Sequence, residues 1–374
     1  MTLAPERELE HPKTYPFFEI KAVGGPTEPP LFPTRLRAVH LLIGFAFLLA
    51  AATASVLVGP ADLSPGAVLQ EIASKLPLVH VHPDLSTTGA IVVWQLRVPR
   101  LVLGGLVGAM LAVAGASYQG VFCNPLADPY LLGVASGAGL GATVAVVEGP
   151  ALAHLPIDVL PPAAFLGAVV AVAATFALGR SRGADRAPAS LVLSGVAVAA
   201  FFTAVQTFLQ QQNTQDIAAV YTWILGGLAT AGWGQVEMIW PYIVAAIVVL
   251  LACRRLLDVL SVGDEEATSV GVRAGRVRLV VVVAATLGTA AAVSVSGLIG
   301  FVGIIVPHTI RLLAGPSYRR ILPLAVLFGA GFLIFADLLA RTVLSPQEIP
   351  LGVVTAFLGA PFFLVVLRQA RRLS

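Results

Sequence analysis

The chain has 374 residues, of which 57% are hydrophobic and only 11% are charged, and its mean hydropathy is +0.89. Soluble globular proteins carry about 25% charged and about 45–50% apolar residues, so the composition excludes a soluble protein and indicates an integral membrane protein. The net charge of +3 does not require a nucleic-acid partner, because the membrane topology derived below accounts for where the basic residues lie.

The first 35 residues are polar and rich in proline, and they mix acidic residues with Lys13 and Lys21. The apolar run that follows, residues 38–58, is longer than the 7–15 apolar residues of a signal peptide, and no small-residue cleavage site comes after it. We therefore expect residues 1–35 to be a disordered cytoplasmic arm, a solvated tail, and residues 38–58 to be a retained membrane span.

Further apolar runs recur along the chain between polar breaks. A helix that crosses a membrane needs about 20 mainly apolar residues. We predict an all-α membrane protein with ten transmembrane helices in one domain, residues 36–374. The predicted spans are 38–58, 98–121, 131–147, 161–178, 191–209, 236–253, 279–295, 299–313, 322–344 and 351–367.

The basic residues orient these spans. If the N-terminus lies inside, 19 of the 23 lysines and arginines fall in inner segments, which is the bias that cytoplasmic loops show. Both termini are therefore predicted to be cytoplasmic. The four exceptions, which fall outside, are Lys75, Arg97, Arg100 and Arg341.

The stretch "NPLADPYLLGVASGAG", residues 124–139, interrupts the apolar pattern. Its two prolines remove backbone donors, so the second span must end near Asn124. The next span has small residues at fourfold spacing, which lets membrane helices approach closely, and the second span has a similar series. These residues are Gly133, Gly137 and Gly141, and Gly104, Gly108, Ala112 and Ala116. The run "GAGLG" lies within a span and lacks the βαβ context of a nucleotide-binding loop, so we interpret it as helix packing.

The longest inner connection covers residues 254–278 and is charged at both ends. A simple link between spans needs far fewer residues. We expect this loop to dock a cytoplasmic partner, and the alternative is a solvated charged loop. The chain contains no G-x-x-x-x-G-K-[ST] phosphate-binding loop, so another chain must hydrolyse ATP if ATP drives the protein.

Six stretches, in this order, resemble the FecCD-type permease subunits of ATP-binding-cassette (ABC) importers for ferric siderophores, haem and cobalamin. They are "RVPR" at 97–100, "NPLADPYLLGVASGAG" at 124–139, "GDEEATSVGV" at 263–272, "GFVGIIVPHTIR" at 300–311, "ADLLAR" at 336–341 and "EIPLGVVTAFLGAPFF" at 348–363. The resemblance covers residues 38–370. The arm at residues 1–35 departs from it, because the family usually has a shorter lead.

The resemblance implies a type II ABC importer fold in the bacterial inner membrane. It implies a homodimer with two ABC ATPase subunits beneath it and a periplasmic substrate-binding protein above it. ATP and Mg²⁺ would bind to the ATPase, and this chain would hold no cofactor, metal or catalytic residue of its own. The cargo would be a metal chelate, with ferric siderophores or haem ahead of cobalamin. The residues that resemble the family's ATPase-coupling loop are Gly263, Asp264, Glu265, Glu266, Ala267 and Gly271.

Arg97, Arg100 and Arg341 at the outer ends of spans allow two interpretations. They are interfacial arginines that extend to water, or they dock carboxylates of the binding protein through bidentate pairs. The resemblance favours docking, since the matching positions in relatives meet glutamates. Asp337 is the one acid clearly within a span. It is either a proton relay or, more in keeping with the fourfold spacing, a partner of Arg341, and such a pair would compete with docking at Arg341.

The fifth span is the best candidate for lining a pathway, because its polar residues are uncharged. Ser190 and Ser194 lie at its inner end, and Thr207 and Gln210 at its outer end. In the outer segment 220–233, Gly226 and Gly227 either hinge a gate or belong to a cap on the bundle. The competing function is a secondary transporter or channel driven by a proton gradient, which would need buried ionisable relays.

Overall fold

The fold is taken from a computed structural model, which describes residues 36–61, 63–75, 84–149, 158–179 and 187–373. The arm predicted over residues 1–35 lies outside the described residues. Within the described ranges all regular secondary structure is helical.

Fourteen α-helices follow one another along the described part of the chain. They are α1 (Ala38–Leu57), α2 (Pro65–Ser74), α3 (Thr87–Ile91), α4 (Val98–Val121), α5 (Val134–Val147), α6 (Leu160–Gly179), α7 (Ala187–Gln212), α8 (Ile217–Ile224), α9 (Trp233–Leu260), α10 (Asp264–Ser269), α11 (Ala274–Ser296), α12 (Val302–Ala314), α13 (Tyr318–Thr342) and α14 (Leu351–Leu373). A π-helical segment, Val92–Arg97, joins α3 to α4 without a break.

Each predicted span coincides with a helix: α1, α4 to α7, α9 and α11 to α14. Seven helices of the described chain are long and apolar enough to cross a membrane, and α5, α12 and the apolar part of α14 are shorter. The all-helical membrane class is therefore confirmed, and the number of ten crossings stays a prediction. Irregular backbone shortens α5 and α12, since Gly133 and Phe301, which precede them, have positive φ angles of 86° and 67°.

Helix α4 is the centre of the bundle. It packs against α9, α11, α12 and α13, and 18 of its 24 residues are buried. A helix that is apolar on all sides is expected to be enclosed by others. The other helices are therefore positioned relative to α4.

Glycines let the neighbouring helices approach α4 closely. A Cβ atom on Gly108 would meet the carbonyl oxygen of Gly329 in α13, and one on Gly115 would meet that of Gly303 in α12. In the same way Gly137 of α5 lies against Gly167 of α6. The packing interpretation of the small-residue series is confirmed.

Helices α4 and α13 run antiparallel. Gly120 lies beside Tyr318, Gly108 beside Gly329 and Gly104 beside Ile334. One or two turns beyond Gly104, the same alignment places the first residues of α4 beside the last turns of α13. This is the end of the bundle that is predicted to face outside.

Helices α9 and α11 both extend into the predicted loop of residues 254–278. Helix α9 continues to Leu260, because Leu257 and Leu260 are fully buried and extend its apolar face, and α11 begins at Ala274. The connection between these two long helices is residues 261–273, with the short helix α10 at its centre, and the extent of the cytoplasmic segment within residues 254–278 stays a prediction.

We expect Gly108→Ala to destabilise the protein, because the added methyl group forces α4 away from the backbone of α13. Overpacking of this kind typically costs about 1–3 kcal/mol. The measurement is the thermal unfolding midpoint in detergent.

Gly105→Ala is the matched control. Its Cβ atom would make an ordinary contact, 3.6 Å from Ile334 Cδ1, and the gain in helix propensity is the same in both variants. Equal unfolding midpoints for the two variants would contradict the close packing described here.

Candidate docking, coupling and pathway sites

A charged cluster centred on Arg100 lies where the start of α4 meets the end of α13. This is the end of the bundle predicted to face outside, here called the outer end. The Nε and Nη2 atoms of Arg100 donate hydrogen bonds to the Asp337 carboxylate over 2.8–3.1 Å. Its Nη1 and Nη2 atoms donate to the Glu348 oxygens Oε1 and Oε2, at 2.9 Å each. One guanidinium group therefore holds two carboxylates at once.

Arg97 is buried and binds backbone carbonyl groups at the end of α1. It donates hydrogen bonds to the carbonyl oxygens of Val56, Leu57 and Ala61, at 2.6, 3.2 and 2.8 Å. Only 6% of the residue is exposed. A basic side chain at the last carbonyls of a helix satisfies acceptors that have no partner within the helix, so Arg97 fastens the outer end of α1 to α4.

Arg341 is also buried, at 4% exposure. It donates to the backbone and side-chain oxygens of Ser55, the latter at 2.9 Å. Its Nε atom lies 3.5 Å from Asp337 Oδ2. The predicted Asp337–Arg341 pair is confirmed, but Arg100 is the closer partner of Asp337, and the sequence did not indicate this.

The structure thus brings the three outer arginines into one network. Arg97 and Arg341 do not extend to water, so the interpretation of interfacial arginines is wrong for these two residues. Of the three, Arg100 has the most exposed side chain, at 14%, and it lies beside Glu348, at 34%. The hydrogen bonds and charge of Arg100 lower the pKa of Glu348 despite its partial burial. Direct docking through these arginines stays a prediction, and Arg100 is the one best placed for it.

At the opposite end, α10 presents an acidic face. Asp264, Glu265 and Glu266 occupy its first turn and are exposed, while Ala267 is fully buried. Acidic residues are favourable at a helix N-terminus. Glu265 and Glu266 are therefore open to solvent, while the buried Ala267 anchors the helix to the bundle.

Two glycines and an ion pair fix the position of α10. Gly263 before it and Gly271 after it have φ angles of 152° and 80°, which side chains rarely adopt. Asp264 accepts two hydrogen bonds from Arg278 of α11, at 2.7 and 2.5 Å. The sequence analysis did not find this pair, which ties α10 directly to a long helix.

The residues predicted to line a pathway lie on different sides of α7. Thr207 is exposed, on the same side as Thr203 and Gln211. Gln210 and Ser194 are half-buried, and Ser190 donates a hydrogen bond to the carbonyl of Gly179 in α6, at 2.9 Å. The exposed side of α7 is thus partly polar at its outer end, and the lining role stays a prediction.

Gly226 and Gly227 form a junction of three segments. The N–H of Gly227 donates to the carbonyl of Ser296 at 2.9 Å, and the N–H of Leu351 donates to the carbonyl of Gly226 at 2.9 Å. The start of α14 and the end of α11 are therefore bound to the same two glycines. Beside the junction lies an apolar groove of about 610 Å³, whose lining includes Phe301, Val353 and Phe357.

Two further polar residues, the half-buried Tyr130 within the "NPLADPYLLG" motif and the buried Gln119 just before it, contact the backbone near α12. The Tyr130 hydroxyl donates to the carbonyl of Ile299 and accepts from its N–H, at 3.0 and 3.1 Å. Gln119 Nε2 donates to the carbonyl of Gly303 at 3.0 Å. Tyr130 thus satisfies the irregular backbone before α12, and Gln119 satisfies a carbonyl in the first turn of α12 that Pro307, four residues on, cannot bind, as a low-dielectric environment requires.

Three comparisons with known proteins agree with this architecture. A cobalamin import system permease protein of Halobacterium salinarum is 42% identical over 298 residues, which are 80% of this chain and 78% of that protein. An iron(3+)-hydroxamate import system permease protein of Bacillus subtilis is 35% identical over 338 residues, 89% of this chain and 84% of that protein. The solved structure of a metal-chelate type ABC transporter in an inward-facing conformation has a TM-score of 0.75 at 28% identity and covers 88% of this chain and 98% of its own.

The family itself is identified by its sequence profile. The profile of the FecCD transport family matches residues 47–369, which contain all the motifs on which the resemblance was based. The expectation from the sequence is confirmed: the chain is a multi-pass membrane protein that belongs to the FecCD transport family.

Proposed function

We propose that this chain is the permease subunit of an ATP-driven ABC importer and forms the translocation pathway for a metal chelate. The observation that carries the proposal is the family match over nearly the whole membrane domain. The acidic helix α10, held at the inner end by Asp264 and Arg278, supports it. The chain would lie in the bacterial inner membrane with both termini in the cytoplasm.

The cargo is proposed as a class. The relatives include permeases for cobalamin, for iron(3+)-hydroxamate and for iron(3+)-citrate. All three ligands are metal complexes that a binding protein can carry intact. The family resemblance favoured ferric siderophores or haem, and the higher identity to the cobalamin permease makes cobalamin an equal candidate.

The assembly is proposed as a homodimer with two ATPase subunits and a periplasmic binding protein. ATP and Mg²⁺ would be bound by the ATPase subunits. The exposed apolar side chains of α7 and α14 support dimer formation: Leu193, Phe201 and Phe357 are 72%, 66% and 75% exposed. A face of this kind needs either lipid or another subunit to cover it.

We expect Glu265→Lys and Gly271→Pro to uncouple the permease from its ATPase while the membrane domain stays folded. The lysine reverses a charge on the exposed acidic face of α10. The proline fixes φ near −65° at a position where φ is +80°, and it removes the hydrogen bond from Gly271 N to the Thr268 carbonyl. The measurements are ATPase co-purification and transport.

Gly275→Ala is the control in the same region, because a Cβ atom there meets nothing within 4 Å. It should leave both measurements unchanged. Normal ATPase assembly and normal transport in the two loop variants would remove the coupling role of α10.

The alternative function is a secondary transporter in which Asp337 relays protons. In the described spans the Asp337 carboxylate lies between Arg100 and Arg341 and forms an ion pair with each, so both of its partners are structural and neither is a second acid to which it could pass a proton. We therefore expect a proton ionophore to leave uptake intact in liposomes loaded with ATP. Loss of uptake while ATP is plentiful would favour the secondary transporter.

We also expect Asp337→Asn to destabilise the protein, because it leaves the buried Arg341 without its ion-pair partner and removes one of the two partners of Arg100. Breaking a buried ion pair from one side costs about 3–5 kcal/mol. The measurement is the thermal unfolding midpoint, with the exposed Asp84→Asn as control. A relay residue would instead leave the midpoint unchanged and abolish only proton-dependent transport.

A further inference from the structure

Glu348 occupies the edge of the Arg100 guanidinium that a partner protein would use. Its two oxygens accept parallel hydrogen bonds from Nη1 and Nη2, at 2.9 Å each. This is the bidentate arrangement in which arginine binds a carboxylate. Asp337 binds the other edge, through Nε and Nη2, so no second bidentate edge is left open.

The two carboxylates are held very differently. Asp337 lies within α13, its side chain is 4% exposed, and Arg341 is a second basic partner. Glu348 lies in the connection between α13 and α14, its side chain is 34% exposed, and Arg100 is its one ion-pair partner among the described residues. Glu348 is therefore the carboxylate that can leave.

The backbone around Glu348 does not depend on its side chain. Ile349 N donates to the carbonyl of Ala340 at 2.8 Å, and Gln347 N donates to that of Leu344 at 3.0 Å. These bonds hold the connection on both sides of residue 348. The side chain can swing away from Arg100 while the loop stays in place.

We propose that Glu348 is an exchangeable cap on Arg100: it occupies the guanidinium in the free permease and is replaced by a carboxylate of the protein that docks on the outer face. This rests on the proposed function, in which the partner is an acidic surface of the substrate-binding protein. The exchange is balanced in charge, because Arg100 has two carboxylate partners before and after it.

The exchange explains why an arginine can serve docking without remaining uncovered. An unpaired guanidinium at the membrane surface would bind many anions. When Glu348 occupies it, a competing anion must displace Glu348, and a carboxylate that binds in the same bidentate geometry is the best competitor. Because one pair is lost for each pair gained, the cap also limits the affinity of the complex and favours its release.

The first test measures how reactive Arg100 is, without any partner. Full-length permease in lipid nanodiscs is treated with phenylglyoxal, which modifies accessible arginines, and the modified peptides are quantified by mass spectrometry. We expect Glu348→Gln and Glu348→Ala to accelerate modification of Arg100 several-fold, and glutarate to slow it again. Arg97 and Arg341 serve as buried references, and Asp84→Asn controls for the loss of one outer charge.

An unchanged rate at Arg100 in both variants would overturn the cap. An equal increase in the modification rates of Arg97, Arg100 and Arg341 would also overturn it, because that pattern would show that loss of Glu348 only loosens the fold.

The second test measures surface-based binding of the importer's substrate-binding protein to the same variants. We expect tighter binding to Glu348→Gln than to the unaltered permease, a gain that a purely structural role would not produce. If Arg100 becomes reactive but binding does not change, the partner's carboxylate does not replace Glu348, and docking through Arg100 fails although the cap exists.

Discussion

The close approach of the backbone of α4 to its neighbours is the constraint on which the rest of the structure depends. The backbone of α13 at Gly329 leaves no room for a side chain at Gly108, and the backbone of α12 at Gly303 leaves none at Gly115. Such contacts define where two helices cross and in which register, since a shift by one residue would place a larger side chain at the contact. The register in turn determines which charged residues meet at the outer end and which polar groups support the irregular segment before α12.

At the outer end the register brings together charges that would each be costly alone in an apolar environment. Asp337 compensates Arg100 and Arg341, and Arg97 and Arg341 satisfy acceptors at the end of α1. The same residues therefore attach α1 to the central helices and keep one arginine near the surface. The docking proposed for Arg100 would thus use a residue that also holds the helices together, and Arg100 differs from Arg97 and Arg341 mainly in its greater exposure to water.

The sequence predicted the membrane class, the position of every described span and the small-residue contacts, because hydropathy and spacing are local properties. It also predicted the Asp337–Arg341 pair, which lies within one helix. It missed the pairing of Arg100 with Asp337 and Glu348, and that of Arg278 with Asp264, because residues far apart in sequence meet only once the helix register is known. It did not predict that α9 and α11 continue as helices into residues 254–278, because the charges at Arg254 and Arg278 interrupt the apolar pattern there.

Helix α11 makes contacts at both ends of the molecule. It begins beside α10, to which Arg278 binds, and it ends at Ser296, whose carbonyl binds the Gly227 N–H. Its 23 residues correspond to a length of about 34 Å, close to the thickness of the bilayer's apolar core. The two contacts therefore lie at opposite ends of one continuous helix. In the coupling role proposed for α10, a displacement of the acidic helix would reach the glycine junction and the first turn of α14 through α11 alone, without any loop between them.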